Sequence, residues 1–284
     1  MSRGAKRRRV PVTSTSHTRP NASAKPEASR AIIRRYHVLL KRKTQLQKAA
    51  ASSQAAKELE EVQEEMDGIG IEAYQHMSNI GQGSDRGGGS ERVFLDYLRS
   101  AGVDKRHLVA DIKMKLLEVG ALRPDNYSHA AKWVEVTPID LHARVPGIVE
   151  QDFFQMDDSQ NIAKWDAISL SLVLNFVADA HERGTMLRKC HAFLVPRGHL
   201  FVALPLPCVQ NSRYLTISHF IQLASALGLR CDNERWVDGR KMVYFIFSKQ
   251  AVPTPSTEGV NSALFTKKRV LVEGGKRNNF CVLL

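Results

Sequence analysis

Three short apolar runs between Leu116 and Asp152 each end on an acidic residue or a glycine, and this repetition limits the folds open to the chain. They read Leu116-Leu-Glu-Val-Gly120, Trp133-Val-Glu-Val-Thr-Pro-Ile-Asp140 and Ile148-Val-Glu-Gln-Asp152. Near-continuous apolar runs belong to strands covered on both faces, and parallel strands bring their carboxyl ends together at one edge of a sheet. Further runs at Trp165–Leu174, Leu200–Leu204 and Met242–Phe247 continue the series. Helical segments separate them, one from Asp179 to Leu194 before a Pro196-Arg-Gly198 turn, another from Thr216 to Leu227 closed by Gly228. Strands alternating with helices of this length predict an α/β, Rossmann-like fold, a seven-stranded and mostly parallel sheet with helices on both faces. The apolar run Phe280–Leu284 is read as its seventh strand, pairing with the sixth.

Charge divides the chain unevenly. Residues 1–50 hold fourteen Lys and Arg against one acid, Glu27, a local charge of +13 in a protein of net +12, so the remainder sums to −1. A nearly neutral domain with a dense cationic arm points to nucleic acid or nuclear import. Residues 1–29 are expected to be a disordered basic tail, with Lys6-Arg7-Arg8-Arg9 as a nuclear or nucleolar address. Residues 30–90 read as a helical extension followed by a linker. From Arg30 to Met66 there is no Gly or Pro, and Ile32, Ile33, Tyr36, Leu39 and Leu40 form an apolar stripe. That segment is basic in its first half and acidic in its second, so it is expected either to dock on the domain or to face RNA. The Gly-rich stretch 81–90 lacks a preceding strand and a Lys-Ser/Thr pair, which excludes a P-loop and leaves a linker or lid. Ser90 is placed to cap the next helix, in which Val93, Phe94, Tyr97 and Leu98 share a face. Residues 91–284 form the α/β domain.

No apolar run is long enough for a transmembrane helix and no secretory h-region opens the chain, so an intracellular protein is expected. The four cysteines are isolated, which predicts no metal site.

The chemistry lies at the strand ends. Glu118 can accept from a ligand ammonium, and Gly120 lets a cofactor approach the backbone. Asp140 can take both hydroxyls of a ribose; Asp152 can accept from an exocyclic amine beside Phe153, whose ring could lie against a purine. Each acid alone reads equally as a solvated strand end, but three at consecutive strand ends predict a nucleoside pocket. The absence of G-x-G-x-x-G argues against a dinucleotide.

Together with Ser169-Leu-Ser-Leu-Val-Leu-Asn-Phe-Val177 and Leu204-Pro-Leu-Pro-Cys-Val-Gln-Asn-Ser-Arg-Tyr214, these motifs resemble the fungal 25S ribosomal RNA adenine-N1 methyltransferases, class I enzymes dependent on S-adenosylmethionine. The resemblance covers roughly residues 30–284. It implies S-adenosyl-L-methionine bound by Gly120 and Asp140, with Glu118, Asp152 and Phe153 as neighbours. It implies ribosomal RNA or a pre-ribosomal particle as partner, nucleolar residence and action as a monomer. Asn175 and Phe176, just past the fourth strand, and Asn211, Arg213 and Tyr214, past the fifth, become the candidate catalytic rim, although Asn175 reads equally as a helix-entry turn and Phe176 reads more readily as core. The competing expectation is a non-catalytic S-adenosylmethionine sensor of the same fold, which the basic arm disfavours. Cys281-Val-Leu-Leu284 also matches a prenylation box, set aside because a lipid anchor does not suit an RNA-directed chain.

Overall fold

Alternate side chains of the central strands enter two separate apolar layers, and this decides the architecture. Leu116, Ala167, Phe201 and Ile246 face one layer; Leu117, Ile168, Leu200, Val202, Phe245 and Phe247 face the other. With a period of two and both faces covered, the strands must be apolar throughout. The structure, a computed structural model, describes residues 53–69, 89–237, 240–251 and 262–284, together with scattered helical residues between 32 and 47.

The strands are β1 (Met114–Val119), β2 (Val134–Asp140), β3 (Val149–Glu150), β4 (Trp165–Ser171), β5 (Leu194–Pro205), β6 (Leu229–Trp236) and β7 (Met242–Lys249). They lie in the order β3-β2-β1-β4-β5-β7-β6. β1 to β5 pair in parallel, whereas β7 is antiparallel to both β5 and β6. The expected seven-stranded, mostly parallel sheet is thus present. Helices α1 (Ser53–Ile69), α2 (Ser90–Ser100), α3 (Val103–Ala110), α4 (Asp158–Asn161), α5 (Ala180–Phe193), α6 (Pro207–Gln210) and α7 (Ile217–Ala226) accompany the strands, with short 3-10 turns at Ser128–Ala130, Phe153–Gln155 and Ser262–Phe265. α2 supplies Phe94, Leu95 and Leu98 to one layer, while α5 and α7 supply Met186, Leu187, Phe193, Phe220 and Leu223 to the other. Asp179 caps α5 through the amides of His181 and Glu182, and Thr216 caps α7 through that of His219.

Four expectations are corrected. The seventh strand is Leu229–Trp236, an edge strand in which only Leu229 is buried, so it lacks the apolar pattern that marks the others. Phe280–Leu284 is instead a tail without strand pairing, buried from Cys281 to Leu284 against α5. The amide of Leu283 donates to the Ala180 carbonyl, and a Cβ on Gly184 would stand 1.8 Å from the Leu283 oxygen, so the tail crosses the helix where only glycine fits. Residues 196–198 are not a turn before the fifth strand but part of β5, with a register shift opposite Trp165 and Ala167. Ser90 does not cap α2. Gly89 occupies the cap position, and the Ser90 hydroxyl lies 2.7 Å from that of Ser171 at the end of β4.

The described residues between 32 and 47 are helical and lie antiparallel to α1. Leu39 and Leu46 pack against Val62 and Met66 in a small core of their own. Arg35 donates to Glu65 at 2.6 Å, Arg42 to Glu58 at 2.8 Å and Lys43 to Gln63 at 2.6 Å. The basic and acidic halves of this extension are therefore each other's partners. The tail 1–29 and the glycine stretch before Gly89 lie outside the described residues. Among the described residues no helix is long and apolar enough to cross a membrane, and no His, Cys, Asp and Glu cluster could hold a metal.

Candidate functional site

Parallel pairing of β1, β2 and β4 brings Val119, Ile139 and Leu170 into register, so the residues after them meet at one edge. The chain leaves β1 toward β2 and β3 on one side and returns through β4 on the other, which opens a crevice between the two strand ends. Gly120 sits in that crevice at φ +72°, and a Cβ there would stand 2.7 Å from Val173 Cγ2. Across from it Leu172 also has a positive φ, 59°, a conformation that disfavours a branched residue. Both turns away from the sheet are thus sharp.

Glu118, the penultimate residue of β1, is buried. Its Oε1 accepts from Asn126 Nδ2 at 2.7 Å, whereas its Oε2 is buried with no donor in the protein. Burial pushes its carboxyl up to about 7; the Asn126 hydrogen bond opposes this, and Glu91 and Asp125 add to it. Asn126 was not legible as a functional residue, because nothing in the sequence pairs it with a carboxylate eight positions earlier. Behind them Tyr127 donates to Ser169 on β4 at 3.0 Å, fixing the segment 121–130 against the sheet.

Asp140 ends β2 half-buried, accepting from the His142 amide at 2.9 Å; burial raises its carboxyl and that amide lowers it. Asp152 caps the turn Phe153–Gln155 by accepting from the Phe154 amide at 2.8 Å. Phe153 does not face the crevice as expected. Its ring is buried in the core, edge-on to Phe193 with centroids 5.8 Å apart, and it is Phe154 that stays partly exposed.

Past β4, Asn175 lies in a turn with its Oδ1 buried and unpartnered, and the Phe176 amide closes that turn onto the Val173 carbonyl. Past β5 and α6, Asn211, Arg213 and Tyr214 are bound to the C-terminal segment. Arg213 donates to Asn279 Oδ1 at 2.6 Å and to the carbonyls of Gly274 and Gly275 at 3.3 and 3.5 Å. The Asn211 carbonyl accepts from the Asn278 amide at 2.9 Å, and Lys268 lies over the Tyr214 ring at 5.9 Å. The structure therefore brings Glu118, Gly120, Asp140 and the turn that carries Asn175 to the same edge of the sheet, and shows Asn211 and Arg213 fastening the C-terminal segment, a strap, beside it.

The same strap is tied to the turn after β4. Arg183, buried on α5, donates to the carbonyls of Val177, Ala178 and Cys281, and its guanidinium stacks on Phe280 at 4.3 Å. Ser212 donates to the Phe280 carbonyl at 2.6 Å.

Two side-chain acceptors are buried without donors in the protein, Glu118 Oε2 two positions before Gly120 on β1 and Asn175 Oδ1 in the turn after β4, two positions beyond the Val173 that packs at Gly120. A buried polar oxygen with no partner costs about 1–3 kcal/mol, so such a pair calls for a ligand that brings N–H groups.

Residues 60–282 match the family model described as "25S rRNA (adenine(2142)-N(1))-methyltransferase, Bmt2". A Schizosaccharomyces pombe protein named 25S rRNA adenine-N(1) methyltransferase is 32% identical over 260 residues, 89% of this chain and 91% of that one. A Saccharomyces cerevisiae protein named 25S rRNA (adenine(2142)-N(1))-methyltransferase is 33% identical over 217 residues, 76% of this chain and 60% of that one. Solved structures are more distant. The Burkholderia thailandensis 1,6-didemethyltoxoflavin-N1-methyltransferase with S-adenosylhomocysteine is 16% identical at a TM-score of 0.40, covering 63% of this chain and 89% of that one. The Bradyrhizobium japonicum N-methyltransferase NodS is 16% identical at 0.38, covering 53% and 86%.

Proposed function

The chain belongs to the family of 25S rRNA adenine-N(1) methyltransferases, and on that premise we propose that its strand-end crevice transfers the methyl of S-adenosylmethionine to N1 of an adenine in large-subunit ribosomal RNA. The observation that carries this assignment to particular residues is the pair of orphaned buried oxygens on Glu118 and Asn175.

S-adenosylmethionine supplies an electrophilic sulfonium methyl when bound. The residues present fit it. Gly120 leaves room at the backbone, Glu118 Oε2 can accept from its amino group, Asp140 can take its ribose hydroxyls and Asp152 the amine of its adenine. Adenine N1 is a ring nitrogen with a free lone pair, so no side chain need remove a proton before attack, and positioning dominates. Methylation leaves a positive charge shared between N1 and the exocyclic amine. Asn175 Oδ1, a buried neutral acceptor, can hold that amine and gains strength as the charge develops. The target base must be unstacked to reach the crevice, at about a few kcal/mol.

One comparison tests the assignment. Wild type, Gly120→Arg and Asn175→Ala are incubated with S-adenosylmethionine and a 25S rRNA transcript, and adenine-N1 methylation is mapped. Gly120→Arg should lose cofactor binding and methylation together; Asn175→Ala should bind cofactor normally and lose about 10- to 100-fold in kcat. Unchanged methylation by folded Gly120→Arg protein would sink the assignment.

The basic arm supports a finer reading, that the protein acts on ribosomal RNA or a pre-ribosomal particle in the nucleolus. Deleting residues 1–29 should reduce nucleolar retention of a fluorescent fusion. Retention equal to wild type would leave the arm without that role.

A further inference from the structure

A cavity of about 360 Å³ opens at the opposite end of the sheet from the crevice. His199, on its wall, pairs with Ala167 near the amino end of β4, whereas the crevice begins past Ser171. The strand between them, Ala167 to Ser171, rises ~3.3 Å per residue and places the two openings roughly 15 Å apart.

Four cations from different elements converge on this cavity, Arg106 of α3, Arg197 of β5, Arg230 of β6 and Lys249 at the end of β7. One acid lines it, Asp232, and it is paired to Arg230 at 2.8 Å. Arg106 and Arg197 have no carboxylate within ion-pair distance among the described residues. Lys249 donates to the Leu194 carbonyl at 2.8 Å, which holds its charge at the wall. His199 Nδ1 is buried there without a partner. Burial holds this imidazole below its usual value, so it is neutral and can present one N–H. Arg197 stands at φ +65°, where glycine would sit without strain and arginine does not. Residues 51–284 sum to −1, so this concentration of positive charge is a local excess.

We propose that this cavity binds backbone phosphates of the RNA substrate, a second contact on the face remote from methyl transfer. The inference rests on the assignment of ribosomal RNA as substrate. Cations spread over four elements suit successive phosphates along a strand better than one compact anion, and such contacts orient a nucleic acid without reading its sequence. The protein would then grip its RNA at two points, one presenting the adenine and one fixing the flanking backbone.

The test compares the full-length wild type with Arg106→Ala/Arg197→Ala, both at positions free of carboxylate partners. Binding of a 25S rRNA transcript is measured against salt concentration, beside S-adenosylhomocysteine affinity and methylation at saturating RNA. The double variant should bind RNA about 10-fold more weakly and show a salt slope shallower by about 1.5, with cofactor affinity and the saturated rate unchanged. RNA affinity and slope equal to wild type would overturn the proposal while leaving the methyltransferase assignment intact. Stoichiometric binding of inorganic phosphate at the cavity with RNA binding unaltered would overturn it too. A wild type that methylates no transcript points instead to failure of the underlying assignment.

Discussion

Glu118 couples the crevice to pH. Its carboxyl titrates at about 7 in the fold against an ordinary 4.5, chiefly through burial, so between those values the folded protein binds more protons than the unfolded chain. Its contribution to stability is therefore fully present below 4.5 and is lost as pH rises through about 7, by at most roughly 3 kcal/mol. A cationic ligand group beside it has the opposite preference and favours the carboxylate. S-adenosylmethionine affinity should accordingly rise with pH through about 7, and Glu118→Gln should bind several-fold more weakly with that rise abolished. Titration calorimetry on both proteins across this range decides it; a pH-independent wild type would remove the amino group from this carboxylate. Glu118, Gly120 and Asp140 were legible because a strand end announces itself in one dimension, as an apolar run that stops on an acid or a glycine. Phe153 was not. Aromatic and aspartate are adjacent in sequence, yet the capping geometry of Asp152 turns the ring inward to Phe193. Asn126 and the fastening role of Arg213 depend on contacts 8 and 66 positions away, which no local pattern encodes.

At the scale of elements, two apolar patterns with similar composition led to opposite outcomes. Met242–Lys249 became a central strand because its neighbours cover both faces, whereas Phe280–Leu284 found no free edge: β6 already occupies the outer side of β7. β6 itself, Leu-Arg-Cys-Asp-Asn-Glu-Arg-Trp, is polar because an edge strand facing water needs few apolar residues and is protected from stray pairing by its charges. The helical extension shows the same dependence on partners. Its charge gradient suggested external ligands, but an antiparallel fold-back lets acid meet base internally, and the surface ion pairs add little beside the Leu39, Leu46, Val62 and Met66 core. Val62→Asp should therefore melt the extension while leaving the sheet domain intact. Hydrogen exchange would show loss of protection over 53–69 with β1, β4 and β5 unchanged; simultaneous loss in the strands would mean that the two cores are not independent.

Across the molecule, the sheet, the crevice and the strap form a dependent series. β4 and β5 deliver two turns to the crevice edge, and neither turn is held by the sheet alone. Arg183 holds the Val177 and Ala178 carbonyls together with that of Cys281, while Ser212 and Arg213 hold Phe280 and Asn279. Arg183→Met keeps the stem but removes three donors, and should destabilise the domain by about 3 kcal/mol, measured by urea unfolding. A change under about 1 kcal/mol would show that the strap is held by its apolar residues alone. Because these ties join segments that are far apart in sequence, neither turn can loosen without the strap, and the three should breathe as a single cooperative unit. The amide of Leu283, bonded to Ala180 at the head of α5, then becomes a remote reporter of occupancy. Filling the crevice would slow its exchange with solvent although no ligand touches it.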